Sequence, residues 1–158
     1  MLVLTAKVNK KKIALVVAAV VALVVGLIVL FGGNDAAPTS ATVSNNDARV
    51  AFLKSFGWEV TTSPTESSQV RIPADSSEVF DRYNALQKSQ GYDLSQYAGK
   101  TVMRYVYQIH NYPGATEPVY ATLLVYKNQI IGGDVTDTAA KGVIRGFKMP
   151  TEETAPTT

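Results

Sequence analysis

The stretch from Val119 to Val135, VYATLLVYKNQIIGGDV, decides how the C-terminal part of this chain folds. Two runs rich in β-branched and aromatic residues flank Lys127 and Asn128, and a two-residue connection between such runs reads as a β-hairpin. A turn that short sets the register: Val125 should face Ile130 and Leu123 should face Gly132, while Tyr126, Leu124 and Ile131 share the other side. If Val119, Ala121, Leu123 and Val125 point to a core, then Tyr120, Thr122, Leu124 and Tyr126 point away from it. That second set forms a candidate interaction face, apolar and aromatic, of the kind that binds protein partners.

Upstream, Thr101 to Ile109 has the same strand character, and Pro113 and Gly114 mark the turn between it and Val119. Its alternation puts Met103, Tyr105, Tyr107 and Ile109 on the core side and Arg104 and Gln108 toward solvent. Further upstream, Asp75, Ser76, Ser77 and Glu78 have the spacing of a capping box. Val79, Phe80, Tyr83 and Leu86 follow at helical spacing as far as Gly91, so a helix is expected there. Tyr92 to Gly99 reads as a short turn carrying Leu94 and Tyr97 inward. A first helix, DARVAFLKSF, is expected to start at Ser44 to Asn46, turn Ala48, Phe52, Leu53 and Phe56 to one face, and stop at Gly57. Trp58 with Val60, and Val70 with Ile72, are short strand-like pieces separated by a Ser/Thr-rich connection, Thr61 to Ser68, that contains Pro64. Thr138 to Phe147 reads as a short helix or an irregular wrap. The fold class is α+β: two helices packed on an antiparallel β-sheet.

The chain has 158 residues, and near its start Ile13 to Phe31 reads IALVVAAVVALVVGLIVLF, nineteen residues with no polar side chain. As a helix this spans roughly 28 Å, the thickness of a bilayer's hydrocarbon core. A cleaved signal peptide would have a shorter apolar run and a small-x-small cleavage site, whereas the nearest candidate here is Asn34, Asp35, Ala36 and Ala37. The expected membrane helix therefore covers residues 13–31. Four lysines (Lys7, Lys10, Lys11 and Lys12) precede it and the first basic residue after it is Arg49, so the N-terminus should be cytoplasmic and the bulk of the chain outside the cytoplasmic membrane. Ala14, Ala18, Ala22 and Gly26 recur every four residues within it. Such a stripe of small side chains would allow pairing with another helix, including a homodimer through the membrane segment.

The remaining segments are a basic N-terminus over 1–12, a flexible tether over 32–44, the folded domain over 45–148 and a disordered tail over 149–158. Of fifteen Lys and Arg residues four precede the apolar run, leaving eleven against thirteen Asp and Glu, a net of −2. That balance gives no basic stripe for a phosphate backbone, so nucleic acid is not an expected partner; the bilayer and a protein of the envelope are. There is no Cys, which removes disulfides, thiolate metal sites and Cys nucleophiles.

Catalytic constellations are sparse. His110 is the only histidine and sits beside Asn111, Tyr112 and Pro113, where an exposed turn residue is the simpler reading. Asp75 with Glu78, and Asp134 with Asp137, are carboxylate pairs that would serve acid–base chemistry if they converged, yet helix capping and a strand end account for them. Gly132 and Gly133 fit a bulge, or a place where a helix lies close to the sheet, better than a phosphate loop. No cofactor or metal site is read.

AFLKSFGWEV, FDRYNALQKSQGYDLSQYAGKTVMRYVY and ATLLVYKNQIIGGDV together resemble the bacterial membrane-anchored family known as domain of unknown function 4830, over about Asp47 to Phe147. The resemblance implies an anchored, outward-facing domain in spore-forming Gram-positive bacteria and brings no activity. The expected function is a non-enzymatic extracytoplasmic interaction or sensing module. The alternatives are a cell-wall hydrolase using the paired carboxylates, or a scaffold component of an envelope or sporulation complex.

Overall fold

The computed structural model describes residues 41–151. The membrane helix read over 13–31, its stripe Ala14, Ala18, Ala22 and Gly26, and the end of the tail lie outside them. Among the described residues no helix is long and apolar enough to cross a membrane.

In chain order the elements are α1 (Asn46–Ser55), β1 (Glu66–Arg71), α2 (Glu78–Ser89), a 3-10 turn (Leu94–Tyr97), β2 (Thr101–Ile109), β3 (Val119–Tyr126), β4 (Gln129–Asp137) and β5 (Ile144–Arg145). The five strands form one antiparallel sheet in the order β1-β2-β3-β4-β5, so every strand neighbours the next in sequence. Asn45 caps α1 by accepting from the Ala48 amide, and Gly57 ends it in the left-handed region at φ 89. The cap of α2 is Ser77, accepting from the Phe80 amide, rather than Asp75. Ser76 is free to bond the Asp81 carboxylate, and Glu78 pairs with Arg82 one turn on. Glu66, Ser67 and Ser68, read as loop, open β1 and pair with Val106, Tyr105 and Arg104, while the Trp58–Val60 piece contributes only a bridge from Val60 to Ile109.

The β3–β4 turn has Lys127 at φ 47 and Asn128 at φ 63, the double left-handed geometry of a type I′ turn, whose twist matches that of the strands. Lysine is a poor occupant of that conformation. Lys127→Asn combined with Asn128→Gly is expected to raise the unfolding free energy by about 1 kcal/mol, measured by urea denaturation. Register holds at Val125 and Ile130, but a shift between Leu124 and Val125 sets Leu123 opposite Gly133 instead of Gly132. One extra residue on β4, in the Ile130–Ile131 pair, is what a β-bulge inserts.

Helices pack on both faces of the sheet, so the side that carries Tyr120, Thr122, Leu124 and Tyr126 is partly covered by α2. On the first face α1 places Leu53, with Ala48, Phe52 and Phe56 beside it, against Tyr107, Ile109, Val119, Ala121, Leu123 and Val125. Phe147, read as part of a wrap, is buried there among Phe52, Phe56 and Tyr92, and its carbonyl accepts from the Trp58 indole at 2.6 Å. On the second face α2 and the 3-10 turn place Phe80, Tyr83, Leu94 and Tyr97 against Val102, Leu124, Ile131 and Tyr126. Leu124 is therefore core, 5% exposed, and Tyr126 packs edge-on against Tyr97. Of the expected inward residues of α2, Phe80 and Tyr83 pack there, but Val79 is 80% exposed and the fully buried positions are Asn84 and Gln87.

The folded unit starts before Asn45 and ends after Lys148. Val43 is 2% exposed in the first core, Ile130 donates to the Ala41 carbonyl, and Met149 packs against Gly57. Ala41 to Val43, read as tether, thus lies along the outer edge of β4.

Candidate functional site

Cover on the second face is incomplete. Register places Glu66, Val106, Thr122 and Asp134 in one row across four strands, with Gln108, Tyr120 and Thr136 in the next row toward one end of the sheet. Helix α2 covers the other end. The exposed end is a depression of about 340 Å³ lined by Thr65, Glu66, Arg104, Val106, Tyr120, Thr122 and Thr136. Of the four residues read as an interaction face, then, Tyr120 and Thr122 line an open surface, while Leu124 and Tyr126 lie under the helix layer.

Arg104 was expected to face solvent. Its side chain is about one-third exposed, and its Nη1 donates to Glu66 Oε1 at 2.6 Å, the carboxylate partner that a half-buried guanidinium requires. Asp134 sits at the margin of the depression, 6% exposed. Its Oδ2 accepts from the Tyr83 hydroxyl and its Oδ1 from the Thr136 hydroxyl, both at 2.7 Å. Burial pushes the Asp134 carboxyl above its usual range, against the opposing pull of those two hydrogen bonds and of Arg104. Burial also raises Tyr83, with the Asp134 charge adding to it. Tyr83 is therefore a donor and not a base near neutrality.

Burial of Asp134 makes stability fall with rising pH. A carboxyl whose folded pKa lies above its unfolded value gives stability that is fully present below the unfolded value, near 3.9, and is lost as pH rises through the folded one. Asp93 works in the opposite direction. Hydrogen bonds from Ser95 and then Asn84 hold it down to about 2, so its contribution is present above pH 4 and is lost as pH falls toward 2. In Asp134→Asn, the part of the stability decline that accompanies rising pH above about 4 should disappear while the acid limb stays. Urea denaturation of both proteins across pH 3 to 8 measures the difference; parallel profiles throughout would show that Asp134 does not titrate in this way.

The carboxylate pairs read from sequence do not converge. Asp134 and Asp137 are three residues apart on one strand and so face opposite sides, and Asp137 accepts from the Ala139 amide. Asp75 is exposed and Glu78 is occupied by Arg82. Glu66 and Asp134 do share a face, but three strand spacings separate them, about 14 Å at the backbone. His110 is exposed at the end of β2. Among the described residues no group of three His, Asp or Glu side chains is placed to hold a metal.

Sequence reasoning missed Tyr83, Thr136 and Glu66 as neighbours of the candidate residues. Tyr83 meets Asp134 across 51 residues of sequence and Glu66 meets Arg104 across 38, so no local pattern announces either contact. What defines this protein is a five-stranded antiparallel sheet between two helices, with part of one sheet face left open as a polar depression. The chain belongs to the family described as Domain of unknown function (DUF4830), whose model matches residues 52–135. That match runs from Phe52 in α1 to Val135 in β4 and takes in every residue that lines the depression except Thr136. No curated protein and no solved structure matches the chain.

Proposed function

We propose that this protein is a non-enzymatic interaction or sensing module, anchored in the cytoplasmic membrane by the helix read over 13–31 with its α+β domain outside, and that its contact surface is the open end of the sheet at Tyr120 and Thr122. The observation that carries this reading is the state of the carboxylates around the depression. Both Asp134 oxygens accept hydrogen bonds, Glu66 is engaged by Arg104 and Ser68, and the two acids stand about 14 Å apart at the backbone. Paired glycosidase carboxylates must act as a free acid and base, whereas these are engaged, so the surface is better suited to holding a partner than to cleaving one.

Site-specific photocrosslinking in intact cells tests the proposal. Benzoylphenylalanine in place of Tyr120 should give a discrete adduct, and the same group in place of Asp47, exposed on α1, should give none. Absence of an adduct at Tyr120, or equal adducts at both positions, would remove this surface from the account. Topology is tested separately by protease added to spheroplasts, which should digest the domain and spare a fragment of about 30 to 40 residues.

A further inference from the structure

From the chemistry of the depression we infer that the ligand it takes is a neutral saccharide, held through its hydroxyls by Arg104, Glu66 and Thr122 against the ring of Tyr120. This deepens the interaction reading and rests on it. Thr122 lines the depression, and its side-chain hydroxyl makes no hydrogen bond among the described residues. That hydroxyl is not one of the buried polar atoms left without a partner, so it opens into the depression with its donor and lone pairs available to a ligand hydroxyl. Two other hydroxyls at the site are already used as donors. Thr65 Oγ1 donates to the Val106 carbonyl and Thr136 Oγ1 to Asp134, which leaves their oxygens able to accept.

The ion pair adds planar recognition. Arg104 bonds Glu66 through Nη1 alone, so Nη2 and Nε remain as donors and Glu66 Oε2 as an acceptor, with the Glu66 side chain about half exposed. Adjacent hydroxyls of a sugar ring present donors and acceptors at the spacing of such planar groups. Tyr120, half-buried in the next row, offers an aromatic surface for the apolar face of the ring.

Charge argues against the two nearest competitors. A phosphate or carboxylate ligand would meet a guanidinium already balanced by Glu66, with Asp134 behind it. A Lys side chain would find both Asp134 oxygens engaged and Arg104 in the lining, a like charge that disfavours it. A neutral polyol meets no such conflict, and about 340 Å³ is within the range of small-ligand sites, about 300 to 1,000 Å³.

The test uses the full chain in lipid nanodiscs, which avoid the sugar headgroups of common detergents, and reads saturation transfer by NMR to chitotetraose and to maltotetraose. Transfer to at least one is expected, with a Kd of about 1 mM for so shallow a site. It should fall at least fivefold in Tyr120→Ser and in Thr122→Val, and it should be unchanged in Val79→Ser, at a position that is exposed at the start of α2 and does not line the depression. Thr122→Val removes the hydroxyl at nearly constant volume, so its thermal melting curve should stay close to that of the parent and keep the binding result interpretable. No transfer to either sugar, or transfer that survives both substitutions, overturns the inference. Binding of a trilysine peptide or of inorganic phosphate in place of the sugars overturns it too, while leaving the interaction surface in place; if the Tyr120 photocrosslink also fails, the interaction reading falls with it.

Discussion

Replacing Gly133 with alanine is expected to lower the unfolding free energy by about 4 kcal/mol or more, a loss at the extreme end of what single substitutions cause. A Cβ at this position would lie 2.1 Å from the Thr122 carbonyl oxygen and 2.4 Å from the Phe147 ring. The first of these neighbours is backbone in the centre of the sheet, so it cannot rotate aside. The second is 1% exposed and wedged between Phe52, Phe56 and Tyr92. Relief would require β4 to separate from β3 or Phe147 to leave the core, and either would release much of the first cluster. Guanidinium denaturation with tryptophan fluorescence measures the loss directly, since Trp58 is buried and donates to the Phe147 carbonyl. A drop below about 1 kcal/mol would mean that the sheet yields here and that β4 is not held as described. Gly132→Ala should cost less. Its Cβ would meet Gln87 Oε1 at 2.8 Å and a Leu94 methyl at 3.2 Å, side-chain ends rather than backbone, so the cost is that of loosening the Gln87 bond to the Gly133 N–H.

These glycines also show what the sequence could and could not disclose. The hairpin, both helices and the stop at Gly57 are set by neighbours a few residues apart, and each stands where a local reading puts it. The second covered face was hidden for a definite reason. Helix α2 turns Phe80 and Tyr83 inward beside Asn84 and Gln87, so half of its packing side is polar and resembles a solvent side. A signal was nonetheless present in β3, where Ala121, Thr122, Leu123, Leu124 and Val125 are all buried. A near-continuous apolar run, in place of alternation, is the mark of a strand covered on both sides. The pair Ile130–Ile131 likewise hinted at the extra residue that moves Leu123 from Gly132 to Gly133. At the candidate site, Tyr120, Thr122 and Asp134 were visible as residues, but their company was not. Glu66, Arg104 and Tyr83 come from separate elements and meet only when the strands stack in order.

Gln90→Leu is expected to cost about 3 to 5 kcal/mol, because one amide side chain serves as a missing stretch of β-strand. The outer edge of β4 is covered in three ways. Ala41 to Val43 lies beside Asn128 to Ile130, β5 pairs with Val135 and Thr136, and between them Gly133 has no backbone partner on that side. Two glutamines of the α2 end fill the gap. Gly133 N–H donates to Gln87 Oε1 at 2.8 Å, and the Gly133 carbonyl accepts from Gln90 Nε2 at 3.0 Å. Gln90 Oε1 then accepts from the Phe147 amide at 2.8 Å, so the side chain joins β4 to the segment that carries the central ring of the first core. Gly146 is what lets the amide approach, since a Cβ there would sit 2.8 Å from Gln90 Cδ. Leucine keeps the bulk but strands the Gly133 carbonyl and the Phe147 N–H, each costing about 1 to 3 kcal/mol when left buried without a partner. Gln87→Leu strands only the Gly133 N–H and removes a buried amide whose Nε2 already lacks a partner, so its cost should be the smaller of the two. Hydrogen exchange separates this mechanism from general loosening: in Gln90→Leu the Phe147 amide should exchange far faster relative to amides of the β2–β3 ladder than it does in the parent. Equal acceleration at all sites, or a Gln87→Leu loss exceeding that of Gln90→Leu, would show that the helix packs here by shape and not through this pair of side-chain amides.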